Sequence, residues 1–167
     1  VDDKQEVLIT SKDGKAIRFN ADEVRSMGRS SYGVKGIELN DKDLVVSLVP
    51  VEQNKKMSIL SITEKGYGKR SALDEYRLTG RGGKGVINIR TEDRNGDVIR
   101  SLPVTDDSSI IATTIKGMIV RISVDDLREM GRATQGVRIV KLKDGDKVAD
   151  VVLVPDEEVV LTEEKEK

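Results

Sequence analysis

Short runs rich in β-branched residues alternate with glycine-centred breaks along this chain, and the pattern recurs. Val7-Leu-Ile-Thr-Ser11 and Ala16-Ile-Arg-Phe19 flank Asp13-Gly14, which predicts a hairpin, because glycine accepts the positive φ of a tight turn. Lys65-Gly66 and Lys116-Gly117 occupy the same place in two later copies, so the glycine recurs at steps of 52 and 51 residues. The same steps relate Gly28, Gly80 and Gly131, and also Gly33, Gly85 and Gly136. After each hairpin the residues Asn20-x-x-Glu23, Ser71-x-x-Asp74 and Ser123-x-x-Asp126 predict one capped helical turn. A Gly-Arg loop follows, and two further β-rich runs close the unit: Val34 to Leu39 with Leu44 to Val51, then Val86 to Arg90 with Val98 to Val104.

Three anchors held in register across three copies exclude one irregular β-sandwich, and the β-branched runs exclude a helical solenoid. Four strands in about 50 residues is the size of a propeller blade. The expected fold is all-β: three four-stranded antiparallel blades at residues 7–51, 58–104 and 110–154, set in an open arc. Rings of this kind close with about 4–8 blades. Three therefore leave an open crescent or force association.

Composition narrows the function. The chain has no cysteine and no histidine, which removes disulfides, thiolate zinc sites and histidine or cysteine catalysis, and no cofactor is expected. Aromatic residues make up 2%, too few to grip single strands by base stacking. No apolar run approaches the roughly 20 residues of a membrane span, and a reducing, cytoplasmic home is compatible with the cysteine count. The start at Val1, without an initiator methionine, suggests an excised or processed fragment. The net charge of −1 hides a segregation. Residues 7–51 hold 7 Lys and Arg against 6 acids, residues 58–104 hold 9 against 6, and residues 110–154 hold 8 against 6. Residues 155–167 hold 6 acids against 2 lysines. A basic body with an acidic, disordered tail predicts an anionic partner, and a tail that either competes for the same surface or is a plain solubilising end.

The cations recur with the fold. Arg29, Arg81 and Arg132 stand in the Gly-Arg loops, Arg25, Arg77 and Arg128 four residues before them, and Arg18, Arg70 and Arg121 on the return strand of each hairpin. Lys69 adjoins Arg70, and Lys35 and Arg138 share a position that Ile87 fills in the second copy. In the second loop Gly82, Gly83 and Lys84 follow Arg81. Glycine lets phosphate approach main-chain N–H groups, and arginine offers a planar, permanently charged fork matched to phosphate oxygens. One such set per blade predicts exposed cations along one edge, suited to double-stranded DNA read without regard to sequence. The glycines alone would also serve tight blade corners, and a basic rim could equally face an acidic protein, as in a propeller-type interaction scaffold.

The run Gly66-Tyr-Gly-Lys-Arg-Ser-Ala-Leu-Asp-Glu-Tyr-Arg-Leu-Thr-Gly-Arg-Gly-Gly-Lys-Gly-Val-Ile-Asn-Ile89 closely resembles a late blade of the C-terminal domain of the DNA gyrase A protein. Met130-Gly-Arg-Ala-Thr-Gln-Gly-Val-Arg138 resembles the final blade, and the acidic end is similar to the family's C-terminus. The resemblance implies a β-pinwheel, a propeller-like ring that wraps duplex DNA on a basic rim and hands it to the catalytic core of an ATP-dependent type II topoisomerase. It implies a non-catalytic module, since nothing around Tyr32, Tyr67 or Tyr76 resembles the cleavage tyrosine, and Asp106-Asp107 reads as a turn. The implied partners are double-stranded DNA, the remaining blades and the catalytic core. Thr79-Gly-Arg-Gly-Gly-Lys-Gly85 keeps the Arg-Gly-Gly-basic-Gly heart of the family's wrapping box without its leading Gln-Arg. That departure points to the C-terminal half of the domain, with the corresponding domain of topoisomerase IV as the alternative.

Overall fold

The computed structural model describes residues 4–52 and 56–154; the tail at 155–167 lies outside the described residues. Each repeat opens with a hairpin: β1 (Glu6–Ser11) with β2 (Lys15–Asn20), β4 (Ser58–Thr63) with β5 (Tyr67–Ala72), and β8 (Ser109–Thr114) with β9 (Ile119–Ser123). The turn glycines Gly14, Gly66 and Gly117 have φ of 82°, 78° and 85°, as the hairpin reading requires. The long return strands β3 (Val45–Val51), β7 (Val98–Val104) and β11 (Val148–Val154) pair antiparallel with the outer side of β1, β4 and β8.

The fourth strand comes from elsewhere. Val86–Ile87 of the second repeat, β6, pairs with Lys15 and Ala16 of the first, giving the order β3-β1-β2-β6. Val137–Arg138 of the third repeat, β10, pairs with Tyr67 and Gly68 of the second, giving β10-β5-β4-β7. The third sheet, β11-β8-β9, has three strands. Two expectations are thereby corrected. The run from Val34 to Leu39 is not a strand of its own unit, and the third blade is not four-stranded. The physical reason is shared: the short strand after the Gly-Arg loop pairs with the hairpin of a neighbouring repeat rather than with its own. The expectation that three antiparallel sheets form an unclosed array holds.

Glycine makes this donation possible. A Cβ on Gly85 would lie 2.3 Å from the Ala16 carbonyl oxygen, and one on Gly136 would lie 2.5 Å from that of Gly68. Only a residue without a side chain lets the incoming segment come so near the preceding backbone.

Alternation along the hairpins then distributes the core between sheets rather than within them. Val7, Ile9, Ile17 and Phe19 point to one face of the first sheet, with Ile37. Leu8, Ala16, Val49 and Val51 point to the other, where they meet Ile59, Leu73 and Tyr76 of the second repeat. Leu60, Ile62 and Val104 in turn meet Ile110, Ala112, Val140, Val148 and Val151 of the third. A buried chain of polar groups runs through the second repeat and reaches the first: the Tyr76 hydroxyl donates to Asn88 (2.6 Å), Asn88 donates to Ser61 (2.8 Å), Ser61 bonds Ser101 (2.9 Å), and the Ser101 N–H donates to the Ser47 hydroxyl of the first repeat (2.9 Å).

The capped turns form differently from expectation. Single 3-10 turns at Ala21–Glu23 and Leu73–Glu75 are closed by main-chain bonds, with no side-chain cap from Asn20 or Ser71, and the third copy has a bare turn. The Ser71 hydroxyl is engaged elsewhere, donating to the Met130 carbonyl of the next repeat at 2.7 Å. Among the described residues no helix is long and apolar enough to cross a membrane.

Gly136→Ala should lower stability in chemical denaturation by more than Gly33→Ala. Both residues have positive φ, 75° and 79°, so both substitutions incur the roughly 1–3 kcal/mol of left-handed strain. Gly33 has nothing within 4 Å of a built Cβ, so only Gly136→Ala also expels a donated strand. Equal losses would contradict the role assigned to Gly136.

Candidate nucleic-acid interface

The Gly-Arg loops sit where one repeat crosses onto the one before it. Arg81 donates from Nε to the Glu23 carbonyl and from Nη1 to the Lys35 carbonyl, both at 3.1 Å, while its main-chain N–H donates to the Glu23 carboxylate at 2.9 Å. Arg132 repeats the gesture one blade on, donating from Nε to the Glu75 carbonyl (3.0 Å) and from Nη1 to the Ile87 carbonyl (2.9 Å). These loop arginines are inter-repeat struts. Arg81 remains exposed and Arg132 half-buried, each with guanidinium N–H groups to spare.

The return-strand arginines behave unlike the expected rim. Arg18 is largely buried: its Nε donates to Glu6 at 2.5 Å, and its Nη1 donates to the carbonyls of Leu73 (3.1 Å) and Tyr76 (3.0 Å) in the second repeat. Arg70 is 8% exposed and bonds Asp106 at 2.6 Å, which also places Asp106 in an ion pair. Lys69 is 2% exposed, donating to the Ser71 hydroxyl (2.6 Å) and to the Gly131 carbonyl (3.1 Å). Burial pushes its pKa down to about 7, with Arg132 adding to the shift and Glu75 opposing it. Arg18, Lys69 and Arg70 are therefore withdrawn from the surface assigned to them from sequence, because each spends its charge on the neighbouring strand or repeat. Gly82 is corrected too: its N–H donates to the Gly36 carbonyl at 2.6 Å, and the Gly83 carbonyl accepts from Glu38 at 2.9 Å. The second loop's glycines tie repeats together rather than offering a ring of open N–H groups.

What stays at the surface is a shorter set. Arg25, Arg77 and Arg128 are exposed in all three copies, as are Arg29, Lys35, Lys84, Arg121 and Arg138. Arg77 and Lys84 flank a shallow cleft beside Thr79 and Gly80 at the first junction. Arg138 and Arg94 stack against the buried Tyr67 ring, with guanidinium carbons 5.0 Å (Arg94) and 5.4 Å (Arg138) from its centre. Arg138 also donates to the Tyr67 hydroxyl at 3.1 Å, and the two arginines hold that hydroxyl below the ordinary tyrosine pKa. Arg94 was not identified from sequence, since it stands in a turn of acids and glycine outside the repeated anchors.

A sequence profile of the DNA gyrase C-terminal domain, a beta-propeller, matches residues 5–52, 58–105 and 108–155. The chain belongs to this family. The DNA gyrase A protein of Chlamydia pneumoniae is 45% identical over 147 residues, covering 87% of this chain and 17% of that protein. Its counterpart in Lawsonia intracellularis is 45% identical over 140 residues, covering 83% and 17%. The chain thus spans about a sixth of the length of the curated relatives it matches. Among solved structures, a DNA topoisomerase IV C-terminal domain aligns with TM-score 0.86 at 28% identity, covering 92% of this chain and 48% of that one. A DNA gyrase A C-terminal domain aligns with TM-score 0.83 at 27% identity, covering 90% and 51%. For a gyrase C-terminal domain, the observed division of labour is that inward arginines lock repeats together and outward ones line the junctions. Among the described residues no cluster of acids could hold a metal ion.

Lys69 supplies a test of that division. Its free-chain pKa is about 10.4, so between pH 7 and pH 10 the unfolded chain binds more protons than the folded one and stability must rise with pH. The cost of burying the charge is complete below pH 7 and fades above it. Lys69→Ile, which restores the residue type found at Ile17 in the first copy, should raise stability near neutral pH by about 1–4 kcal/mol, and the gain over the parent should shrink towards pH 10. A gain that is constant with pH in urea denaturation would show that Lys69 is not buried as a charge.

Proposed function

We propose that this gyrase C-terminal domain is a non-catalytic module that binds double-stranded DNA without sequence preference and bends it along its outer edge. The observation that supports this most directly is the exposed cation set that recurs at each junction: Arg25, Arg77 and Arg128 in every repeat, joined by Lys84, Lys35, Arg29 and Arg138. Repeat geometry gives equivalent residues equivalent places on successive sheets, so the charges form a series rather than a patch. A series of fixed cations on a curved support matches the phosphates of a bent duplex, and none of these side chains presents the paired donor and acceptor geometry of base readout. Tyr76 is buried and bonded to Asn88, and Asp106 is engaged with Arg70, which leaves neither placed for chemistry on a substrate. In the parent protein the bound segment would pass to the catalytic core of a type II topoisomerase that supercoils DNA at the expense of ATP, within the cytoplasm.

The corrected site changes which variants are informative. Arg77 and Lys84 are exposed and outside the inter-repeat bonds, so alanine there removes charge without loosening the fold. Duplex binding followed by fluorescence anisotropy should weaken with salt at a log–log slope of about −0.9 per phosphate neutralised. Arg77→Ala with Lys84→Ala should flatten that slope by roughly 2 units, equally for unrelated sequences. A slope unchanged by the pair would contradict the reading, and binding that survives high salt would favour a protein partner instead.

A further inference from the structure

The second junction carries a cluster that the first does not. Tyr67 and Lys15 are equivalent, each following a hairpin glycine, and across the donated strand Tyr67 faces Arg138 where Lys15 faces Ile87. The buried Tyr67 ring is met by two exposed arginines, Arg94 from the turn before β7 at 5.0 Å and Arg138 of the third repeat at 5.4 Å. Arg94 and, after it, Arg138 hold the Tyr67 hydroxyl below the ordinary tyrosine pKa, and Arg138 donates to it at 3.1 Å. Two guanidinium groups from two different repeats thus converge on one side chain.

The turn that brings Arg94 there is one residue longer than its counterparts. Seven residues separate Ile89 from Asp97, against six between Ile37 and Leu44 and six between Val140 and Lys147. Main-chain bonds fix this frame, since the carbonyls of Leu44, Asp97 and Lys147 accept from Lys12, Glu64 and Ile115 in the three sheets. Asn95, fully buried in the same turn, donates to the carbonyls of Arg90 (2.7 Å) and of Gln135 in the third repeat (3.1 Å). The longer turn is therefore bonded to the segment that leads into β10, which carries Arg138. Converging like charges repel unless an anion shares them. Among the described residues neither arginine makes an ion pair, although Glu92 and Asp93 stand just before Arg94 in the chain. Ring and hydroxyl aim the two forks but leave most of their N–H donors open. A phosphate has oxygens enough to accept from both at once.

We propose that Arg94 and Arg138, braced by Tyr67, form a clamp that holds one backbone phosphate of double-stranded DNA at the second junction. The clamp rests on the DNA-binding reading above and adds to it a contact that the first junction lacks. Arg138 belongs to the outward series, and Arg94 joins it there from outside the repeated anchors. Because both forks share one phosphate, the pair counts once in counterion release, whereas two separate cations count twice.

Salt titrations of duplex binding by the 167-residue chain read this difference, with Arg94→Gln, Arg138→Gln and the two combined. Either single change should weaken binding roughly 3- to 10-fold at low salt and leave the log–log slope nearly unchanged, because the remaining arginine still neutralises the phosphate. The combined variant should flatten the slope by about 1 unit. Both residues are exposed, and Arg94 lies outside every strand, so a loss in Arg94→Gln cannot come from a broken sheet. Single variants that each flatten the slope by about 1 unit, and a combined one that flattens it by about 2, would show two separate contacts and overturn the clamp. Affinity and slope indifferent to the combined change would overturn it as well. In both cases binding that still responds to Arg77→Ala with Lys84→Ala leaves the DNA-binding reading standing, while a parent chain that binds no duplex would overturn both.

Discussion

The structure depends on one contact: the backbone of each repeat laid across the hairpin of the repeat before it. Asn88 and Ile89 both donate to the Gly14 carbonyl, and Ile139 and Val140 both donate to the Gly66 carbonyl, at 2.8–3.1 Å. No repeat owns a complete sheet, so none has a complete core. Leu8 and Val49 are buried because Ile59 and Tyr76 cover them, and Leu60 and Ile62 because Val140 and Val148 do. This makes the array a coupled series in which each unit is stabilised by its neighbour.

That coupling explains why so many basic residues are absent from the surface. An arginine beside a repeat junction meets carbonyls of the neighbouring repeat, at a 3-10 turn or in the segment after the Gly-Arg loop, and its fork can satisfy two of them at once. Arg18, Arg81 and Arg132 all do so. Cations that remain outward include Arg77 and Arg128, four residues before the loop arginines, and both are exposed. The same local geometry therefore sorts one chemical type into two jobs.

The repeat length, the hairpins and the strand-rich character were legible in the sequence, because Gly14, Gly66 and Gly117 impose a backbone that other residues resist, and because register is kept over three copies. Strand donation was not legible. Val86–Ile87 and Val137–Arg138 are two-residue strands with no periodicity of their own, and a sequence gives no sign that a segment pairs with the previous repeat rather than its own. Candidate residues were found by type and recurrence, which detect charge and not direction. Lys69 shows the limit: beside Arg70 it reads as part of a basic rim, yet its counterparts are Ile17 and Val120, and comparing the copies position by position is the signal that marks it as inward.

Native-state hydrogen exchange at the crossing amides tests the central claim most directly. If donated strands hold the array together, the amides of Asn88, Ile89, Ile139 and Val140 exchange only through opening of the junction, with protection comparable to the hairpin amides of β4 and β5. Exchange of these four as fast as a solvated loop, while the hairpins stay protected, would show that the repeats stand alone and would contradict the account.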